Sequence, residues 1–281
     1  MAAQHRPKWG EGMSIITISR GSFSGGKMLA ECLACSLGYR CIDRDVIVER
    51  AAASGVSQED LRDALEKPPG FLDRFNHKKY VYLALIQAAL AEEVRTGGAI
   101  YHGLAGHLLL REGPRVLRTR IIAPMEFRIR MARARLKLER GDAIAYIQKM
   151  DQHRRKWTQF LYGVDWGDPS LYDIVLNLDR VEIEEACHVI ATMARQRCFE
   201  FTPECQAAMD DLALASRIRA NLALNEPTSN LEVEVVARRG SVSIKGKLVT
   251  MDQYEEVERV ARAVPGVTEL NLDELAPNVQ A

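Results

Sequence analysis

IITISRGSFSGGKMLAECLACSLGYRCID, residues 15–43, decides the reading of this chain. It opens on a β-branched run, passes through the glycine-rich stretch Gly21-Ser22-Phe23-Ser24-Gly25-Gly26-Lys27, and enters an apolar helical segment that Gly38 stops. The loop fits G-x-x-x-x-G-K, and its setting between a buried strand and a helix makes it a phosphate-binding loop rather than a chance string. Glycines let successive backbone N–H groups turn inward around phosphate oxygens, and the helix N-terminus adds its positive dipole. Lys27 would reach the outer phosphates. Met28 follows where the general motif has a Ser or Thr hydroxyl that helps hold Mg²⁺. Any Mg²⁺ is therefore expected to be held mainly by nucleotide phosphates and water, with Asp43 or Asp45 as the carboxylate at hand.

Outward from this stretch, β-branched runs alternate with long amphipathic segments to about residue 200, the habit of a parallel sheet covered by helices. The pattern predicts strands at 14–19, 40–42, 98–102, 117–122 and 173–177. Helices are predicted at about 26–37, 44–53, 57–65, 76–96, 104–110, 125–138, 141–161 and 181–197, with Pro68-Pro69-Gly70 breaking the chain before the fourth. After Thr202-Pro203 the order changes to a helix near 208–224, the strands LEVEVVA and SVSIKGK about an Arg239-Gly240 turn, a helix near 252–264, and VTELNL. The domain reading is a flexible tail at 1–12, an α/β domain at 13–203, and a small αββαβ domain at 204–281.

The 281 residues carry 38 basic and 38 acidic side chains, so charge alone points to no nucleic-acid partner. At 47% hydrophobic and 27% charged, the composition is that of an ordinary globular protein with a sizeable core. No run is long enough for a transmembrane helix and the opening residues lack an apolar secretion segment, so the expectation is a cytoplasmic protein. Cys32-x-x-Cys35 lies on an apolar periodic run with no second pair and no histidine at ligand spacing, and its cysteines are read as core thiols.

The opening stretch resembles the cytidylate kinase-like family of P-loop nucleoside monophosphate kinases. The resemblance continues through AIYHGLAGHLLL, VLRTRIIAPMEFRIRMARA, the DxxR segment Asp151 to Arg154, and GVDWGDPSLYDIVLNLDRVEIEEA, over about residues 13–200. It implies a P-loop NTPase fold with a five-stranded parallel sheet and a helical lid, and ATP-dependent phosphorylation of CMP or dCMP. In that picture Gly21, Ser22, Ser24, Gly25, Gly26, Lys27 and Met28 surround ATP, and Asp43 lies on the monophosphate side. The basic run from Arg128 to Arg140, with Arg128 and Arg133 in it, and the segment carrying Asp151 and Arg154 form the lid. Residues 118–140 indeed hold eight Lys or Arg against two Glu, an excess suited to neutralising a transferring phosphoryl group. The chain departs from the family at Gly103-Leu104, where relatives read Gly-Arg, and at Glu49-Arg50, where cytidylate kinases have an arginine about six residues after the aspartate. Arg20, Arg44 or Arg50 could replace the lost grip on the acceptor phosphate. His102, beside Gly103 at a strand end, is open to two readings: an acceptor contact, or a histidine packed beneath the loop. His107 reads as a helix-face residue.

The segment Asp210 to Leu272, with Gly240, Val242, Gly246 and PGV at 265–267, resembles a BON domain, a module associated with membranes, phospholipid or ligand binding. Two functions stay open: an active nucleoside monophosphate kinase tuned through its BON domain by a small ligand, lipid or protein partner, or a nucleotide-binding sensor that signals through that domain.

Overall fold

The β-branched run becomes β1 (Ile15–Arg20), with five of its six residues buried. A strand enclosed on both faces is what a continuous apolar run produces. The protein is represented by a computed structural model that describes residues 13–66, 77–103, 105–111, 113–248 and 250–277. After β1 come α1 (Gly26–Leu37), β2 (Arg40–Asp43), α2 (Arg44–Ala52), α3 (Gln58–Glu66), α4 (His77–Val94), β3 (Ala99–His102) and α5 (Gly106–Leu109). They are followed by β4 (Val116–Ile122), α6 (Met125–Leu136), α7 (Arg140–Tyr162), β5 (Ile174–Asn177) and α8 (Ile183–Ala194). The five strands form a parallel sheet in the order β2-β3-β1-β4-β5. The alternation of Ile15 and Ile16 assigns them to opposite faces. Ile16, Ile18, Leu117 and Ile121 join Leu29 and Leu33 of α1 and Ile190 of α8 in one core. Ile15, Ile42 and Tyr101 join Ile47, Leu61, Ile86 and Leu90 in the other. Because the strands are parallel, Arg20, Asp43 and His102, the last residues of β1, β2 and β3, all lie at the C-terminal end of the sheet.

The remainder is α9 (Pro203–Leu224), β6 (Val233–Arg238), β7 (Ser241–Leu248), α10 (Met251–Arg262), β8 (Glu269–Asn271) and β9 (Leu275–Pro277). β7 runs antiparallel to β6 and, on its other side, parallel first to β8 and then to β9. Sequence patterning predicts the first three strands and misses β9, whose three residues are too short to show alternation. It also starts α9 five residues late. Thr202 caps the helix by accepting from Cys205 N–H, with Pro203 in the first turn, so the Thr-Pro pair is a start signal rather than a break.

α9 belongs to both cores. Met209, Leu212, Ala213 and Ala220 pack into the α4 side of the first unit, while Leu214, Ala215, Ile218 and Leu222 close the second beneath Val235, Val242, Ile244 and Val257. Polar contacts reinforce the joint: Arg95 pairs with Asp210 at 2.8 Å, and Gln206 Nε2 donates to the Arg95 carbonyl at 3.0 Å.

Cysteine placement corrects one expectation. Cys32 is half-buried, but Cys35 is exposed. The buried stripe of α1 is Gly26, Leu29, Ala30 and Leu33, and Cys35 lies about 200° of helical rotation past Leu33. No helix among the described residues is long and apolar enough to cross a membrane. The amino-terminal tail, Pro68-Pro69-Gly70 and Leu104 lie outside the described residues.

His107 sits on α5 and is buried rather than surface-facing, with its ring 4.7 Å from that of Tyr172. Neither ring nitrogen has a hydrogen-bond partner among the described residues. Burial, followed by the neighbouring Arg118 and Arg120, pushes its pKa from 6.5 down to about 3. The unfolded chain thus takes up a proton that the folded chain refuses, so stability is complete above 6.5 and lost as pH falls towards 3. In thermal unfolding followed from about pH 7 to about pH 4, the midpoint of His107→Phe should fall less than that of the wild type; equal slopes would assign the acid sensitivity elsewhere.

Candidate active site

The turn from β1 into α1 is built around four constraints. Ser24 Oγ donates to the carbonyls of Gly21 (2.9 Å) and Ile121 (3.2 Å), tying the loop to β4. Phe23 and Gly25 have φ of 62° and 86°, the left-handed region that suits glycine at the second of them. At Gly26 an added Cβ would lie 2.4 Å from Arg20 Cδ, so no side chain fits there. α1 then begins with no side-chain cap and no acid in its first turn, which leaves its leading N–H groups and the positive end of its dipole facing the loop. Lys27 is half-exposed, its Nζ 3.8 Å from Glu31 Oε1. Met28 is exposed and supplies no oxygen.

Across the loop, α6 and α7 pack together through Ile129, Ala132, Ala143 and Ile147, with Phe23 of the loop against them. Arg128 Nε donates to the Ser22 carbonyl at 2.7 Å and its guanidinium pairs with Asp151. Asp151 Oδ1 accepts from Ser22 N–H at 3.0 Å, and Arg154 donates to the Arg20 carbonyl at 2.9 Å. The two helices are therefore latched to the loop by backbone contacts on both Arg20 and Ser22.

Between loop and helices lies a cleft of about 330 Å³ whose lining includes Arg20, Arg44, Arg135 and Arg154. Asp43 and Asp45 face them, and His102 and Gly103 lie at the end of β3. Burial, then the charge of Arg20, pulls Arg154 down to about 10; burial, then Arg135 and Arg44, lowers Arg20. Both stay cationic at neutral pH, but they repel each other, and an anion would relieve that repulsion. His102 is held at about 4 by burial and Arg20, so it is neutral there. Asp43 Oδ1 caps α2 by accepting from Val46 N–H. At Gly103, the residue after β3, an added Cβ would meet Tyr101 Oη at 2.1 Å, so the chain leaves the strand through a glycine.

Of the residues singled out in the sequence, Gly21, Ser22, Lys27, Asp43, His102, Gly103 and Arg154 line this cleft. Ser24, Gly25 and Gly26 frame the loop, and Arg128 and Asp151 brace it. Arg50 and Arg133 are not brought in: Arg50 Nε pairs with Glu93 of α4 at 2.8 Å, and Arg133 lies 4.0 Å from Glu139. Sequence reading misses Tyr146, His153 and Trp166 as lining residues. It also fails to separate Arg135 from the rest of its basic run. Trp166 is placed by hydrogen bonding to Ser19 Oγ at 2.8 Å and by Arg120, whose guanidinium sits 4.1 Å from its ring centroid.

Residues 15–180 match the cytidylate kinase-like family, and residues 210–274 match the BON domain. No curated protein matches the chain. Among solved structures, an uncharacterized protein from Eubacterium ventriosum ATCC 27560 is similar at a TM-score of 0.50 and 19% identity, over 66% of this chain and 99% of that one. Shikimate kinase from Acinetobacter baumannii, in complex with shikimate, matches at a TM-score of 0.38 and 14% identity, over 65% and 93% of the two chains. Shikimate kinase from Bacteroides thetaiotaomicron matches at 0.41 and 14%, over 66% and 99%. The first likeness is one of fold. With its own match spanning more than half of the residues, this chain belongs to the cytidylate kinase-like family and carries a BON domain after its kinase-like fold.

Proposed function

We propose that the protein transfers the γ-phosphoryl group of ATP to a pyrimidine nucleoside monophosphate of the CMP or dCMP type. The observation that carries this reading is the charge arrangement: the uncapped start of α1 and four arginines converge on one cleft. Two phosphate-bearing substrates meeting there would be held by cations from both sides. The glycine cradle suits the donor's phosphates, because Gly25 takes a left-handed φ of 86° that turns the backbone and Gly26 opens α1, whose first turn carries no side-chain cap and no acid. Lys27 and the leading amides of α1 bind the donor's outer phosphates. Arg154 and Arg135, on the lid helices, neutralise charge on the transferring group, and Arg20 and Arg44 grip the acceptor phosphate in place of Arg50. Asp151 is a positioning residue that holds Arg128 and the lid against Ser22. Neutral His102 can hydrogen-bond the acceptor but carries no charge to it.

Mg²⁺ fits this site as a companion of the nucleotide. Met28 offers no ligand, and no group of three or more His, Cys, Asp or Glu among the described residues could hold a metal. Phosphate oxygens and water would supply most of its coordination, with Asp43 or Asp45 the carboxylates within the cleft. The metal would shield the phosphates and stabilise the leaving group.

The second reading, a nucleotide sensor without turnover, is favoured by Met28 and by the withdrawal of Arg50 to Glu93. A regulatory role for the BON domain fits either reading. It is not tested by removing residues 204–281, because that also removes Met209, Leu212 and Ala213 from the first core.

An ADP-release assay with ATP, Mg²⁺ and CMP, dCMP, UMP, AMP or GMP should show turnover confined to CMP and dCMP. ATP binding without turnover on any acceptor selects the sensor. Arg154→Ala should lower kcat about 100-fold or more while changing ATP affinity by less than about threefold, whereas Lys27→Ala should weaken ATP binding itself. Arg50→Ala should leave the acceptor KM within about twofold of wild type, because an exposed ion pair away from the cleft contributes little. A tenfold or larger rise in that KM would return Arg50 to the acceptor site.

A further inference from the structure

A second cleft, of about 300 Å³, lies where the two cores meet and shares no lining residue with the first. We propose that it is a binding site for a small phosphate-bearing anion. Three arginines from three elements converge on it: Arg95 just beyond α4, Arg217 on α9, and Arg239 in the β6–β7 turn. Two carboxylates face them, and both are already engaged. Asp210 accepts from Arg95 at 2.8 Å and from Gln206 at 2.9 Å. Asp211 accepts the backbone N–H of Arg239 at 2.6 Å.

That leaves two guanidiniums without a carboxylate among the described residues. Arg217 reaches a protein acceptor, the Pro265 carbonyl, at 3.5 Å, and its buried Nε has no partner among the described residues. A sheltered charged donor without an acceptor is costly, and an anion would satisfy it. Arg239 has a φ of 50° at a hairpin position that usually takes Asn or Gly, so the turn accepts backbone strain while carrying this cation at the cleft. Gly240 follows with a φ of 86°, and an added Cβ there would come within 2.9 Å of the Gly266 carbonyl, so the two glycines bring the turns together at the cleft.

Guanidiniums from separate elements suit a tetrahedral oxyanion; Arg95 is already engaged by Glu92 and Asp210, and the forks of Arg217 and Arg239 are the ones able to donate to phosphate oxygens. Leu214 and Ala207 supply an apolar flank, and the cleft has room for more than a lone phosphate. The ligand class is therefore a phosphorylated small molecule, bound between Arg217 of α9 and Arg239 of the β6–β7 turn.

The test is amide NMR of the full chain titrated with inorganic pyrophosphate, reading Gly240 and Gly266 for this cleft and Gly25 and Gly26 for the phosphate loop. Saturable shifts are expected at Gly240 and Gly266. They should persist in Lys27→Ala and weaken by about tenfold or more in Arg217→Gln. Arg239→Gln, at an exposed turn, should weaken them likewise and serves if Arg217→Gln perturbs folding. Shifts confined to Gly25 and Gly26, or shifts at Gly240 and Gly266 that survive both arginine substitutions, would overturn the proposal. A response to phosphatidylglycerol vesicles without one to pyrophosphate would also overturn it, replacing a small soluble ligand by a lipid headgroup.

Discussion

The uncapped first turn of α1 is the constraint around which the first cleft is arranged. Its N–H groups and dipole create a positive field that no side chain of the first turn offsets. The cleft adds Arg20, Arg44, Arg135 and Arg154 to that field instead of cancelling it. An arrangement of this kind gains stability when anions enter; burial first, and then the neighbouring arginines, lowers the pKa of both Arg20 and Arg154. Asp151 meets part of the demand: its carboxylate accepts from Ser22 N–H while pairing with Arg128. The same contact that satisfies the loop holds α6 and α7 against it.

α9 plays a comparable part between the two units. A helix that is apolar around most of its circumference must be buried on more than one side, and α9 is packed between the α4 layer and the BON sheet. Burying a side chain such as Ile218 or Met209 stabilises the chain by about 1.5–3 kcal/mol each, so the two units are joined by core packing rather than by a linker. The arginine-lined cleft at their junction follows from that packing. Arg95, Arg217 and Arg239 are far apart in sequence and meet because α9 holds both units at once.

Much of the fold is legible in the sequence because its signals are local. The β-branched runs, Gly38 as a helix stop, and the alternation of Val233 and Val235 with Glu232 and Glu234 each depend on neighbours within a turn or a pleat. Where local signals fail, the reason is also physical. β9 is paired because β7 has a free edge beside it, not because Leu275–Pro277 has strand character of its own. Cys35 shares an apolar stretch with Leu33 but faces away from the core, since two residues along a helix reverse the direction of the side chain.

The sequence by itself determined the α/β class, the glycine-rich turn between β1 and α1 and the basic run of α6, because each is written in contiguous residues whose chemistry and spacing act locally. Tertiary structure decided which arginines serve the cleft. Arg133 and Arg135 are near neighbours in one basic run, yet Arg135 lines the cleft while Arg133 turns towards Glu139. Arg50 lies a few residues beyond Arg44 on the same helix, and packing of α2 against α4 carries it to Glu93. Direction around a helix axis, and the partner that waits there, is set by how helices pack on the sheet, which no single stretch of sequence contains.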